Sequence, residues 1–436
     1  MERRNFLRTA SLAGVSLSLP FGAGSALAGS DSDGPYEGPY WLFIQAAGGW
    51  DTRFMFDPIM DPDQNRPQHE IGNVGPFKFS IWGANEAGVN VPTAGEPYLY
   101  DNQRFLEKYS KQLLLLNGLD MGTSSHASGS RAFSSGRSSG NGAYPATAAL
   151  IAAQHARDQT LAFIGGGAYN QTNGLVPMTR LGNANAMRKL AFFNRIDATK
   201  PDSATFHTES TLDRIKRAQA SRNQSYLNAQ RLPGARASIE QLMAMRASKG
   251  SLSGLIFPDP PVKIPVRGLE GYARQAELIL AAFKSGLCAS GNMMVTGFDT
   301  HANNDNPQRT GQLKVLSTVN FIMEEAARLG IADKVNVVVG SDFARTPRYN
   351  AGNGKDHWSI SSAFLMGPAI RGGRVIGGTS DTQRALKIDP KTLEVVEKDG
   401  VKLTAKILHQ NIRKAANVGD VAFAYPLKGE ELDLFS

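Results

Sequence analysis

The chain has 436 residues, of which 41% are hydrophobic, so it can build one large α/β domain or two ordinary ones around a substantial core. The net charge of +8 falls to +6 (44 basic minus 38 acidic residues) without residues 1–28, and no basic run is interleaved with aromatic residues, which disfavours nucleic acid as a partner. The single cysteine, Cys288, excludes an intrachain disulfide and a cysteine metal cage. We place Cys288 in an apolar helical stretch around 278–287 and expect a buried, inert thiol.

The first 28 residues have the features of an export signal. Arg3 and Arg4 are paired, Phe6 follows, and a weakly apolar segment ends at the small-residue cleavage site Ala26-Leu27-Ala28. We interpret residues 1–28 as a twin-arginine signal peptide; the alternatives are an ordinary secretory signal and an amphipathic helix. The remainder, 29–436, would then use the twin-arginine export machinery and be periplasmic or secreted. No later stretch approaches 18 apolar residues, so no transmembrane helix is predicted.

Buried strands and helices alternate along the rest of the chain. Predicted strands cover 40–46, 112–118, 160–164, 293–297, 335–342, 362–366 and 373–376, and predicted helices cover 102–110, 146–157, 271–286, 309–329 and 403–416. Residues 183–265 differ, with long polar helical patterns and a Gly/Pro-rich return, and we expect a helical insertion or cap there. The alternation elsewhere predicts a doubly wound α/β sandwich.

Acids and histidines follow the ends of several predicted strands. Asp51 follows the first strand across a Gly-Gly turn and is either a metal ligand or a helix N-cap. Asp299 and His301 lie just past another strand, two residues apart, which suits two ligands of one divalent cation. Asp342 ends the most apolar strand, and His357 closes the loop that follows it. Because open α/β sheets place their sites at the carboxyl ends of strands, these residues together predict a metal site.

The loop after the second strand carries a different chemistry. Residues 124–137 hold six serines, two arginines and His126 in fourteen residues and lead toward a helix. This segment is either an anion-binding site, with Arg131 contacting oxyanions, or a solvated polar loop.

Three motifs give the chain a family resemblance. They are Gly48-Gly49-Trp50-Asp51, Gly297-Phe298-Asp299-Thr300-His301, and Ser341-Asp342-Phe343-Ala344-Arg345-Thr346-Pro347 with Asp356-His357-Trp358. With them the chain resembles the exported DUF1501 family, which is placed in the alkaline phosphatase/sulfatase superfamily. The resemblance implies an alkaline phosphatase-like three-layer α/β/α sandwich and a site with one or two divalent metal ions, such as Zn, Ca or Mn.

The resemblance also implies roles for individual residues. Asp51 and Asp342 resemble ligands of the metal nearer the nucleophile, and Asp299, His301 and His357 resemble ligands of the other metal. The nucleophile position falls on His126, with Ser128 and Ser130 close by; His126 is a nucleophile, a metal ligand or merely polar, and a neighbouring serine is the alternative nucleophile. Arg131 and Arg345 are candidates for stabilising charge on the transferred group.

One residue departs from the superfamily pattern. Phe343 stands where a further ligand, His or Asn, is usual, and a phenyl ring cannot coordinate a metal. The expected function is metal-dependent hydrolysis of a phosphate or sulfate ester, with an anionic small molecule or glycan ester as substrate. The alternatives are a phosphatase-like fold retained as a binding or assembly protein of the cell envelope, and transfer of the group onto an envelope glycan.

Overall fold

The computed structural model describes residues 35–59, 70–82, 99–140, 144–180, 188–189, 191–236, 239–240, 243, 252, 255 and 268–436. The predicted signal peptide, 1–28, and most of the predicted Gly/Pro-rich return, 248–265, lie outside the described residues. Pro35–Ser436 forms one compact unit.

The described strands are β1 Tyr40–Ala47, β2 Ile71–Val74, β3 Phe77–Ser80, β4 Leu113–Asp120, β5 Ala162–Gly165, β6 Met178–Thr179, β7 Cys288–Thr296, β8 Val335–Ser341, β9 Ala344–Arg345, β10 His357–Trp358, β11 Ile360–Met366, β12 Arg374–Gly377, β13 Lys387–Ile388, β14 Val395–Val396 and β15 Val401–Lys402. The described α-helices are α1 Asn102–Tyr109, α2 His126–Ser135, α3 Thr147–His155, α4 Glu209–Ala229, α5 Glu270–Lys284, α6 Asp305–Arg328, α7 Ala405–Ala415 and α8 Gly419–Phe423.

Eight of these strands form the main sheet, in the order β12-β4-β11-β8-β1-β7-β5-β6. β1 lies at its centre, parallel to both neighbours, with Ile44 opposite Met293 of β7 and Val339 of β8. β11 alone runs against its two neighbours, β4 and β8. β8 is buried along its whole length, as its valine-rich sequence predicts for a strand covered on both faces.

Helices cover both faces of the sheet. Because side chains alternate across a strand, Leu42 and Ile44 of β1 join the apolar core under α5 and α6, whereas Trp41 and Phe43 join the core under α3 and α7. The predicted three-layer α/β/α sandwich is therefore confirmed.

Several local predictions need correction or refinement. Cys288 is the first residue of β7 rather than part of a helix, although its thiol is buried as expected. Residues 124–137 are not a loop, because α2 occupies most of them. Within the predicted insertion, α4 is a long helix that buries only Leu212 and Leu227. Among the described residues, no helix is long and apolar enough to cross a membrane.

Candidate metal centre

Loops from five strands meet at one edge of the main sheet. The parallel strands β1, β7 and β8 end there, β4 runs in the same direction, and the antiparallel β11 begins there. The sequence-predicted site residues lie on these loops, at the position where open α/β sheets place their sites.

The turn after β1 has no room for side chains. Gly48 and Gly49 have φ of +118° and +83°, and a Cβ on either would come within 2.5 Å of atoms of Asp299 or Phe343. This close packing lets both amides donate to Oδ1 of Asp342, at 3.1 and 2.7 Å. The buried Asp342 carboxylate is therefore fixed by backbone from a different strand.

His126 is the first residue of α2, and its imidazole contacts Asp342. Nδ1 of His126 lies 2.6 Å from Oδ2 of Asp342. Because a carboxylate only accepts, Nδ1 donates, which in a neutral imidazole leaves the lone pair on Nε2. That Nε2 lies 3.6 Å from Oδ1 of Asp299. Asp342 thus holds the orientation of His126 and fixes Nδ1 as its donor nitrogen.

Two further imidazoles are arranged in the same way. Nδ1 of His357 lies 2.6 Å from the backbone oxygen of Ser124, so it donates and leaves the lone pair on Nε2. Burial lowers the pKa of His357, and the Arg345 charge lowers it further, which favours the neutral imidazole. Nδ1 of His301 lies 3.3 Å from Oδ1 of Asp356, and Nε2 of His301 lies 2.9 Å from Nε2 of His357.

Asp299 supplies an ionised carboxylate between these rings. Its Oδ1 lies 3.3 Å from Nε2 of His301 and 4.0 Å from Nε2 of His357. Burial acts to raise the pKa of Asp299, but a 2.7 Å hydrogen bond from Arg345 and the charge of that guanidinium outweigh it. The pKa of Asp299 is therefore held below its usual value.

Together these side chains have the chemistry of a cation site. One atom each of His126, Asp299 and His357 lie within 4.8 Å of one another, and His301 contacts two of the three. Three imidazole nitrogens and a carboxylate oxygen are donors that suit Zn²⁺ and similar metals. Metal-bound histidines usually donate their second nitrogen to an acceptor. The acceptors available to these rings are Asp342, the Ser124 carbonyl and Asp356.

Asp51 contacts a lysine, an asparagine and a backbone amide of the chain. Its Oδ2 lies 2.6 Å from Nζ of Lys355 and accepts from Asn304 at 2.9 Å. Its Oδ1 accepts from the amide of Arg53, where Asp51 caps a short 3₁₀ helix, as in the alternative drawn from the sequence. Both Asp51 and Lys355 are fully buried, so this carboxylate is already neutralised by a cation of the chain itself.

All three guanidinium nitrogens of Arg345 donate hydrogen bonds within the protein. It is fully buried, with Nε donating to the Gly49 oxygen at 3.0 Å and Nη1 to the Lys355 oxygen at 2.9 Å. Its Nη2 donates to Asp299 and to the Gly48 carbonyl. Arg345 therefore positions Asp299 and the turn after β1.

The candidates on α2 other than His126 face different surroundings. Ser130 is buried and accepts a hydrogen bond from Gln45 at 2.8 Å. The Arg131 guanidinium lies 5.9 Å from the centre of the Tyr169 ring. Ser128 is half-buried in the first turn of the helix. In the described part of the chain, none of these three side chains forms a hydrogen bond or ion pair with the cluster of imidazoles.

Phe343 cannot bind a metal, but its ring packs against two histidines of the cluster. Its fully buried ring lies 4.7 Å from the His126 ring and 4.3 Å from the His357 ring, measured between centroids. A phenyl ring at this position supports two imidazoles from one side.

Two contributors to this geometry were missed from the sequence. Lys355 directly precedes the Asp356-His357 pair, and its position beside a strand-end motif was the available signal for a counter-ion. The Ser124 contribution is a backbone carbonyl and has no residue-type signal.

A mixed α/β/α sandwich with a histidine-aspartate cluster at the carboxyl edge of its strands is the class of protein that this fold and site define. The chain belongs to the DUF1501 family, described as proteins of unknown function, whose model matches residues 41–404. The resemblance inferred from the motifs is thereby confirmed. No curated protein matches the sequence.

The fold is similar to those of sulfatases and alkaline phosphatases. The chain is similar to PsFucS1 sulfatase from Pseudoalteromonas sp., with 9% identity, 89% of this chain and 69% of that chain covered, and a TM-score of 0.37. It is similar to the lipoteichoic acid synthase LtaP from Listeria monocytogenes (8% identity, 89% and 80% covered, TM-score 0.35). It is also similar to alkaline phosphatase from the Antarctic bacterium TAB5 (11% identity, 77% and 92% covered, TM-score 0.30).

Proposed function

We propose that this protein is an exported hydrolase that uses a single divalent cation to cleave phosphate or sulfate esters. The observation that carries the proposal is the convergence of three imidazole Nε2 atoms on the Asp299 carboxylate, with the second nitrogen of each ring directed to an acceptor. Export through the twin-arginine route, to the periplasm or the exterior, is part of the proposal and rests on the sequence of residues 1–28.

The three imidazole nitrogens of the cluster favour a transition metal over calcium. His126, Asp299, His301 and His357 would hold the ion, and imidazole-rich sites suit Zn²⁺ or Mn²⁺ better than Ca²⁺, which prefers oxygen ligands. Nε2 of His357 carries a lone pair and lies 2.9 Å from Nε2 of His301. Two nitrogens at this distance share either a proton or a cation, and the neighbouring Asp299 carboxylate supplies the negative charge that a divalent cation needs there.

The residues that resemble ligands of a second metal do not support one. Asp51 is paired with Lys355, Oδ2 of Asp342 is paired with Nδ1 of His126, and Phe343 stands where the resemblance would place a further ligand. We therefore propose one metal per chain rather than two.

The chain's own groups suit an anionic ester. When bound, a divalent cation polarises an ester oxygen and lowers the pKa of a water that attacks it. The first turn of α2 lies beside the cluster, and its N-cap, Ser125, makes no side-chain cap, so the first amides of the helix are available to oxyanion oxygens. Because the histidine in the nucleophile position is a proposed ligand, we favour direct attack by water over a covalent enzyme intermediate.

The proposal is tested on purified full-length protein. Metal content measured by mass spectrometry should be close to one divalent ion per chain, and a panel of phosphomonoester, phosphodiester and sulfate-ester substrates should show turnover that chelation abolishes. Asp299→Asn should lose both the metal and the activity. Lys391→Gln, a change at an exposed residue in the turn between β13 and β14, is the control and should lose neither. Absence of metal together with turnover that Asp299→Asn leaves intact would refute the proposal.

A binding or assembly protein of the cell envelope is the second candidate. The Asp51–Lys355 pair and the buried Phe343 favour it, because they occupy the places where a two-metal enzyme needs ligands. On this view the full-length protein binds one metal per chain but turns over no ester in the panel, and it retains a partner in pull-downs from envelope extract. Adding a glycan acceptor to the panel separates transfer from hydrolysis by the product formed.

A further inference from the structure

The positive charge of the protein is concentrated in one stretch of the chain. Residues 188–236, here called the basic segment, contain ten basic and four acidic residues. The rest of 29–436 contains 34 basic and 34 acidic residues and is neutral overall. The net charge of +6 therefore belongs to the basic segment and not to the other parts of the chain, which include the candidate metal centre.

Exposed apolar side chains are concentrated in the same segment. Of the nine large hydrophobic residues that are exposed among the described ones, six lie between 193 and 232. They are Phe193, Ile196, Phe206, Ile215, Tyr226 and Leu232. Scattered single cases need no explanation, but six in forty residues are a concentration that calls for one.

The local structure places some of these residues on common faces. Ile196 donates its amide to Ala204 and Phe206 donates to Asn194, at 2.9 and 2.8 Å, around the antiparallel bridge between Arg195 and Thr205. In such a ribbon Ile196 and Phe206 lie on the same face, because opposite residues and residues two apart share a side.

The helix that follows continues this mixture of apolar and basic groups. In α4, Ile215, Arg222 and Tyr226 are spaced by seven and four residues and form one exposed stripe. Arg214 and Arg217, also exposed, lie about 100° and 160° around the helix axis from Ile215, so basic groups continue around the exposed surface of α4. A soluble helix normally buries a wide apolar face, whereas α4 buries only two residues.

We infer that the basic segment docks the protein on a membrane surface that contains anionic lipids. The charge of the segment complements anionic headgroups, and the exposed Phe193, Ile196 and Phe206 side chains need an apolar medium, which a bilayer provides at the same surface. A soluble polyanion such as a glycan would match the charge but would leave these apolar side chains in water. The bilayer therefore accounts for both features.

The test uses the chain from Gly29 onward, which contains the whole compact unit Pro35–Ser436, so that the apolar N-terminal residues cannot cause binding. The probes are vesicles of phosphatidylcholine alone and of phosphatidylcholine with about one third phosphatidylglycerol, compared in sedimentation assays. We expect binding to the anionic vesicles, weakening as salt is raised, and little binding to the neutral ones.

Matched variants distinguish an effect of the basic segment from an effect of the total charge of the protein. Neutralising Arg214, Arg217 and Arg222 to glutamine should weaken binding about 100-fold, since each basic residue near an anionic surface contributes severalfold. The control neutralises Lys391, Lys398 and Lys402, which are exposed on and near the small β13–β15 sheet, and should change binding little. Equal losses in the two triple variants would overturn the inference.

Insertion of the apolar side chains is tested by Phe206→Trp. The new indole should shift to shorter emission wavelength and be quenched by brominated lipid when anionic vesicles are added. Because Phe206 is 62% exposed, this change should not disturb folding, which circular dichroism verifies. Unshifted emission with binding only to a soluble polyanion such as heparin would assign the segment to that ligand and overturn membrane docking, as would equal binding to both kinds of vesicle.

Discussion

The Asp342 carboxylate and the His126 imidazole, 216 positions apart in the chain, meet at 2.6 Å between Oδ2 and Nδ1. The other oxygen of Asp342 is held by the amides of Gly48 and Gly49, so the contact cannot rotate away without breaking two backbone hydrogen bonds. Asp342, which the resemblance makes a metal ligand, thus orients His126, which we propose as a ligand.

Replacing Asp342 by asparagine is the direct test of this role. The amide cannot offer the same charge to Nδ1 of His126, and loss of such an outer partner typically lowers metal affinity about 10- to 100-fold. Competition with a chromogenic chelator measures the affinity. Asp356→Asn, which changes the longer and more exposed contact to His301, should cost less. A larger loss from Asp356→Asn than from Asp342→Asn would contradict this assignment.

The sequence predicts the location of the site better than the roles within it. Asp299, His301 and His357 lie near strand ends, and strand ends in a parallel sheet converge, so their proximity follows from the fold. The roles of Asp51 and Asp342 depend on which group reaches each carboxylate oxygen. That is decided by Lys355 and by the amides of a two-glycine turn, which no spacing in the sequence reveals.

The segment 124–137 shows a second limit of prediction from the sequence. Its serines and glycines have weak helix propensity. A segment of this composition predicts a loop or a ligand-binding turn as readily as a helix. Packing decides the outcome, because Ala132 and Phe133 are buried in the core against the sheet. Gly129 lies so close to the end of β8 that a Cβ there would come within 2.2 Å of the Asp342 carbonyl oxygen.

The buried pair of Asp51 and Lys355 should be needed for stability but not for metal content. Lys355→Met leaves a fully buried carboxylate without its cation and should lower the free energy of unfolding by about 3–5 kcal/mol. Adding Asp51→Asn to that variant removes the unpaired charge and should recover part of the loss. Guanidinium unfolding gives the energies. A second metal bound by the double variant, or no recovery of stability, would count against this account.

His409 should make the protein less stable in mild acid. Burial, reinforced by the charge of Arg413, lowers the pKa of His409 from 6.5 to about 3, and both ring nitrogens are hydrogen-bonded, to Thr147 and to the Phe133 carbonyl. Above pH 6.5 the imidazole is neutral in both states. Between pH 6.5 and about 3 only the unfolded chain takes up the proton, so stability falls by about 1.4 kcal/mol per pH unit, or about 2 kcal/mol at pH 5.

His409→Gln provides the comparison for this prediction. A glutamine amide can retain one donor and one acceptor, but it does not titrate, so its unfolding energy should depend less on pH between 6.5 and 5. Denaturant unfolding of both proteins at several pH values measures the difference in slope. Identical slopes would show that His409 is not the titrating group.

Phe343 should matter for metal binding although it cannot touch the metal. Its ring packs against His126 and His357, and a Cβ on Gly49 would come within 2.5 Å of it, so the ring fills its space completely. Phe343→Ala should cost about 3–5 kcal/mol of unfolding free energy through the cavity it leaves. The same substitution should also lower the affinity for the metal, because the imidazoles of His126 and His357 lose the ring that packs against them. Phe343→Leu keeps most of the volume and should lose less of both. If Phe343→Ala lowered stability but left chelator-measured affinity unchanged, Phe343 would be a core residue only, and the orientation of the two imidazoles would depend on Asp342 and the Ser124 carbonyl alone.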